Sequence, residues 1–263
     1  MQRSAVRPSP VFLAIVALAI GGGLLVAFSD DGTGFENAGV TTGVFLMVIA
    51  GWGVSLCLHE FGHAIVAYRG GDREVYFKGY LTLDPRRYTD PVMSLVLPLL
   101  ILAIGGIPLP GGAVWINHHA LRNKRTESWV SLAGPLSNLA LGALLIGAVS
   151  ILFPDQQNIF EPTNWLAAGL SYLAMLQIVA FVLNILPIPG LDGWGALEPW
   201  MPRDWQRFGA KARPWAPLIL FAVLIGIPQV GRAFFDLAFS VYDLVGGDSG
   251  LASDGGAAFR FWN

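Results

Sequence analysis

From residue 43 to 68 the chain is an almost unbroken run of apolar and small residues, and late in that run stand His59, Glu60 and His63. A run of this length crosses a bilayer as a helix. Ionisable side chains are costly at such a depth, so by default they mark functional sites. Here they read His59-Glu60-Phe61-Gly62-His63, the pattern H-E-x-x-H. Helix positions four apart share a face, so the two imidazoles point the same way and can share one zinc ion. Glu60 adjoins the first imidazole and can act as general base toward a water at that ion.

The composition agrees with a membrane setting. Hydrophobic residues make up 54% of the 263, charged ones only 13%, and the mean hydropathy is +0.57. Soluble domains carry about 25% charged residues. The expected fold is therefore an all-α polytopic membrane protein of about six membrane segments, given that each needs about 20 residues. The net charge of −2 singles out no partner, and the sequence holds no basic patch for nucleic acid. The single cysteine, Cys57, excludes an internal disulfide and reads as a small core residue off the His59/His63 face.

Taken in order, 11–28 is an uncharged apolar run, longer than a signal-peptide core of about 7–15 residues, and reads as an uncleaved first span. The second is 43–68. The stretch 91–112 is apolar but broken by Pro98, Gly105, Gly106, Pro108, Pro110 and Gly111, a poor continuous helix. Further spans are expected at 128–153, 164–186 and 215–231. Within 74–83, Val75, Tyr76, Phe77, Tyr80, Leu81 and Thr82 have β-type composition, with Gly79 as a turn or bulge, and predict a small membrane-associated β element. Over 232–245, Arg232, Asp236, Ser240 and Asp243 recur every three or four residues, an amphipathic helix suited to the interface. The domain reading is one unit over 1–245 with its core at 43–200, followed by a Gly/Ser/Asp-rich tail, 246–263, expected to be disordered.

Charge sets the topology. The N-terminus, 69–90, 118–127 and 203–213 are basic, whereas 29–42 and 154–163 are acidic. Basic loops stay in the cytoplasm. One arrangement satisfies all of them: a cytoplasmic N-terminus, a re-entrant 91–112 lining protein or a wet cavity, and a C-terminus outside. Both the H-E-x-x-H and the end of the span near Leu186 then lie at the cytoplasmic end. His59, ten residues before Arg69, sits about 15 Å below the surface at 1.5 Å per residue.

A catalytic zinc takes three protein ligands and leaves one position open. His118 and His119 are adjacent in a basic loop and read as solvated. Asp192 follows the Pro- and Gly-rich break 187–190 that ends a span. Alone it would be a turn aspartate, but at matching depth to the histidines the ligand reading is favoured. Asn184 is open between a helix-packing amide, a partner for carbonyls freed by Pro187 and Pro189, and a donor to an oxyanion. Asn138 reads first as a structural amide between helices.

These residues resemble the site-2 proteases, zinc metalloproteases that cleave inside membranes. The resemblance covers about 43–199. It rests on the H-E-x-x-H, on Ala133-Gly134-Pro135-Leu136-Ser137-Asn138, and on the stretch from Asn184 through Pro187, Pro189 and Gly190 to Asp192-Gly193. It implies that His59, His63 and Asp192 bind one zinc, that Glu60 is the catalytic base and that Asn184 assists at the oxyanion. It also implies single-span membrane proteins as substrates and a prokaryotic cell membrane as the location. Where the family often has a second Gly after Asp-Gly, this chain has Trp194. Stretches 111–117 and 74–83 could hold an unwound substrate by β-addition. Two rivals are a zinc-binding, non-catalytic membrane scaffold, which has no need of Glu60, and a metal transporter, whose paired repeats are not found.

Overall fold

Every regular element among the described residues of this computed structural model is helical; those residues are 6–31, 37–88, 100, 102, 114–157 and 163–262. In chain order the helices are α1 (Pro10–Ser29), α2 (Ala38–Gly70), the single turn α3 (Glu74–Phe77), α4 (Lys124–Leu152), α5 (Trp165–Asn184), α6 (Asp192–Leu197), α7 (Arg203–Ala212), α8 (Ala216–Gly226), α9 (Pro228–Leu244) and α10 (Ser249–Phe259). Four of them, α1, α2, α4 and α5, are long and apolar enough to cross a membrane, and α7 with α8 forms a bent pair that could be a fifth. This is a multi-pass, all-α membrane protein.

The helix ends follow from local chemistry. Ser9 accepts the Phe12 N–H at 3.1 Å and Pro10 opens α1. Asn37 accepts Gly39 N–H at 2.8 Å ahead of α2, Asn123 accepts Thr126 N–H at 2.9 Å ahead of α4, and Asn164 accepts Ala167 N–H at 3.1 Å ahead of α5. α2 stops at Gly71, whose φ of +128° suits only glycine.

α2 and α5 are the central pair, walled by α1, α4 and α10. Val40, Val44, Val48 and Trp52 of α2 share one core with Ala167, Ala168 and Leu176 of α5. α1 and α4 turn apolar side chains such as Leu13, Ile20, Leu144 and Ile151 outward, as a lipid-facing helix does.

Three expectations change. The stretch read as a β element is α3 followed by a 3-10 turn at Tyr80–Thr82. Asp72 accepts the Glu74 N–H at 2.9 Å and starts the turn, and Val75, Tyr80 and Leu81 pack on Ala64 and Ala67 of α2. Their β-type composition reflects side-chain packing rather than strand pairing. The tail read as disordered forms α10. Asp248 caps it through Leu251 N–H at 2.9 Å, and its small residues Ala252, Gly255 and Ala258 seat it on α5 with Phe259 fully buried. The last span ends early: α8 stops at Gly226, and Pro228 opens α9. Eleven residues make about 16 Å of helix against a hydrocarbon core of about 30 Å. α9 does carry the expected amphipathic pattern, with Gly231, Phe234, Ala238 and Tyr242 buried. The stretch 91–112 lies outside the described residues apart from two positions.

Candidate metal centre

The H-E-x-x-H falls in the C-terminal half of α2, and all three of its ionisable residues are buried. α4 lies directly against it. Gly62 allows the approach, since a Cβ there would stand 2.7 Å from the Ala133 carbonyl oxygen. Two histidine side chains thus face the Ala133-Gly134-Pro135 segment across a helix interface.

Asp192 arrives from the other side. After α5 the chain turns at Gly190, whose φ is +97°, with Leu191 N–H donating to Ile188 O at 2.9 Å. The turn leaves Asp192 at the start of α6, against α4. Its Oδ2 is 3.2 Å from His59 Nε2 and its Oδ1 is 3.4 Å from His63 Nε2, and the two Nε2 atoms are 3.1 Å apart.

The outer nitrogens fix what the inner ones present. His63 Nδ1–H donates to the Val130 carbonyl at 2.7 Å, and His59 Nδ1–H donates to Asn138 Oδ1 at 2.6 Å. With Nδ1 protonated on both rings, each Nε2 offers a lone pair. Two lone pairs and a carboxylate then converge within 3.4 Å, an arrangement that repels itself unless a cation lies between them. Donors about 2.0–2.1 Å from a tetrahedral zinc stand roughly 3.3–3.4 Å apart, close to the three separations seen. Gly134 supplies room: a Cβ there would fall against both Nε2 atoms and Cε1 of His63. The residues fit a zinc ion held by His59, His63 and Asp192.

Glu60 belongs to the same cluster, with one ligand atom from each of His59, Glu60 and His63 lying within 4.8 Å of one another. Its Oε2 instead accepts Val114 N–H at 3.0 Å, and Asp192 lies nearer the imidazoles. Asn184 is buried, and its Nδ2 donates to Ala180 O of its own helix at 3.1 Å. His118 and His119 are exposed, and His118 pairs with Glu127 at 2.9 Å. Cys57 is a buried free thiol packed with Phe12 and Leu83.

Sequence reasoning placed Asn138 between helices and did not connect it to His59. Its Nδ2 donates to Ser55 Oγ and to Gln177 Oε1, both at 2.9 Å, and the Ser55 hydroxyl donates to the same Gln177 oxygen. The only available signal was an amide repeatedly out of place in apolar helices: Asn138 in α4 and Gln177 in α5.

Comparison with known proteins gives relatives over the full length. The chain is 47% identical to "Putative zinc metalloprotease Rip2" of Mycolicibacterium smegmatis, covering 99% of this chain and 96% of that protein. It is equally 47% identical to the protein of that name from Mycobacterium tuberculosis, over 100% of this chain and 97% of the relative. "Putative zinc metalloprotease YwhC" of Bacillus subtilis is 32% identical over 66% of this chain and 78% of its own length. No family model matches the chain, and no solved structure does.

Proposed function

The chain belongs to the site-2 protease family of zinc metalloproteases, and from that premise we propose that it is an endopeptidase that hydrolyses peptide bonds within or beside transmembrane segments of single-span membrane proteins. The observation that carries this reading is the meeting of Asp192 with His59 and His63, which stand on buried α2, a helix of membrane-spanning length.

His59 and His63 would hold the zinc through Nε2 and Asp192 through its carboxylate. When bound, zinc would polarise a carbonyl and lower the pKa of a water to about 7. Glu60 takes the proton of the attacking water and returns it to the leaving amide nitrogen. Its Oε2 is engaged by Val114 N–H, which leaves Oε1 as the atom that carries the proton. Asn184 has a second N–H on Nδ2 beyond the one given to Ala180, and this is the donor assigned to the oxyanion. The substrate helix must unwind first, because its carbonyls are otherwise occupied in i→i−4 bonds.

The basic loops argue for a cytoplasmic N-terminus and a site opening toward the cytoplasm of a prokaryotic cell. Co-expression with a panel of single-span membrane proteins tests the whole. Glu60→Gln should retain zinc and lose all cleavage. Zinc binding without cleavage of any panel member by the wild type would favour the scaffold instead.

A further inference from the structure

α7 is a short helix with two unlike outward faces. Arg203, Arg207 and Lys211 recur every four residues and make one stripe, while Trp205, Phe208 and Ala212 occupy the opposite side. The three cations are exposed, and Trp205 and Phe208 are 56% and 55% exposed. Among the described residues only Asp204 pairs with the stripe, through an exposed 3.7 Å contact with Arg207. Exposed Trp200 and Trp215 flank the helix, and its axis is bent 66° from apolar α8. Cations on one face with Trp and Phe on the other is the composition of a helix lying in a bilayer–water interface.

α7 is also fastened to the element that carries Asp192. Its buried Gly209 sits against Trp194 of α6, where a Cβ would stand 2.6 Å from Cζ2 and from Nε1 of the indole. The rings of Trp194 and Phe208 meet edge to face at 6.4 Å. Gln206 Nε2 donates to the carbonyls of Glu198 and Met201 at 3.1 and 3.0 Å, and Arg213 pairs with Glu198 at 2.8 Å. Trp194 is two residues beyond Asp192 in a six-residue helix, so it links α7 to the element that carries the carboxylate.

We propose that α7 binds an anionic lipid surface, Arg203, Arg207 and Lys211 pairing with headgroup phosphates, and that this docking holds α6 so that Asp192 faces His59 and His63. The inference rests on those three residues forming the metal site. Charge complementarity selects the partner: a neutral headgroup offers the aromatic face a place but gives the three cations no net counter-charge.

The test uses the full chain in nanodiscs of phosphatidylcholine, with and without phosphatidylglycerol, and reads zinc affinity by chelator competition. A juxtamembrane cation is worth about fivefold, so wild type should bind zinc at least about fivefold more tightly with the anionic lipid. The triple variant Arg203→Gln/Arg207→Gln/Lys211→Gln should show the weaker affinity in both discs. Gly209→Leu, which displaces Trp194, should weaken zinc binding even with phosphatidylglycerol. Inorganic phosphate added to neutral discs should change nothing; a gain there would replace the lipid surface by a free anion. Equal wild-type affinities in the two discs, or a lipid response that survives in the triple variant, overturns the proposal while leaving the metal site standing. Absence of zinc binding in both discs brings down the metal site and this inference together.

Discussion

The Nδ1–H of His59 on α2 points at Oδ1 of Asn138 on α4, 2.6 Å away, and Asn138 is itself held by Ser55 and by Gln177 of α5. Three helices therefore decide which nitrogen of one imidazole carries the proton. Asn138→Leu removes the acceptor and frees the ring to turn. Loss of such an orienting partner lowers metal affinity about 10- to 100-fold. Asn138→Asp keeps the acceptor and should bind far more nearly as the wild type does. Chelator competition on both variants measures this. Wild-type affinity in Asn138→Leu would mean that packing alone sets the ring.

Gly134 faces the two Nε2 atoms from α4, and a methyl group there enters the space between them. Overpacking a filled site costs about 1–3 kcal/mol. Borne by the bound state, that amounts to roughly 5- to 150-fold in zinc affinity. Gly134→Ala should therefore lose zinc and activity together while keeping its helix content by circular dichroism. Gly147→Ala, on the same helix with open space around it, is the matched control.

The pairing of His59 with His63 was legible because helical spacing is local: four residues fix two rings on one face whatever else the chain does. Asp192 needed one further step, the matching of depths at two span ends, and the charged loops supplied it. Asn138 and His59 are 79 positions apart, and their bond depends on how closely Gly62 lets α4 approach, which no periodicity encodes. Val75, Tyr80 and Leu81 misled because aromatic and β-branched side chains also suit the surface of α2. The tail misled because Ala252, Gly255 and Ala258 look featureless until α5 is set beside them.

Asp84, outside the membrane-length helices, gives a pH-dependent anchor. Its carboxylate accepts from Arg86 Nε at 2.9 Å, from the guanidinium NH2 at 2.7 Å and from the Arg86 backbone N–H at 3.1 Å. The Arg86 hydrogen bond is the main cause holding its pKa below the usual carboxylate range. A depressed folded-state pKa means stability fully present above the unfolded value, about 3.9, and lost as pH falls through the folded one. Arg86 is exposed, so solvent screening keeps the contribution small. Asp84→Asn should be less stable than wild type at pH 7, and the gap should close in acid. Denaturation in detergent at the two pH values checks it; a constant gap would assign Asp84 a packing role only.

Val114 N–H lies 3.0 Å from Oε2 of Glu60, and the non-helical stretch that carries it is pinned nearby. Asn117 N–H donates to Asp72 Oδ2 at 2.8 Å, and Lys78 Nζ stands 3.5 Å over the Trp115 ring. Asp72 is fully buried, so the far end of the stretch is fixed and its near end aims the base. Val114→Pro deletes the N–H without touching a zinc ligand. Losing a hydrogen bond to a charged group costs about 1.5–3 kcal/mol, or roughly 10- to 100-fold in rate if it acts only on the proton transfer. The expected result is kcat reduced by that factor with zinc affinity unchanged, read from cleavage of a quenched fluorescent transmembrane peptide beside a chelator titration. Undiminished turnover would remove Val114 from the alignment of Glu60, and with it the idea that backbone N–H groups of this stretch hold the unwound substrate. A parallel loss of zinc would instead show that the stretch supports the histidines.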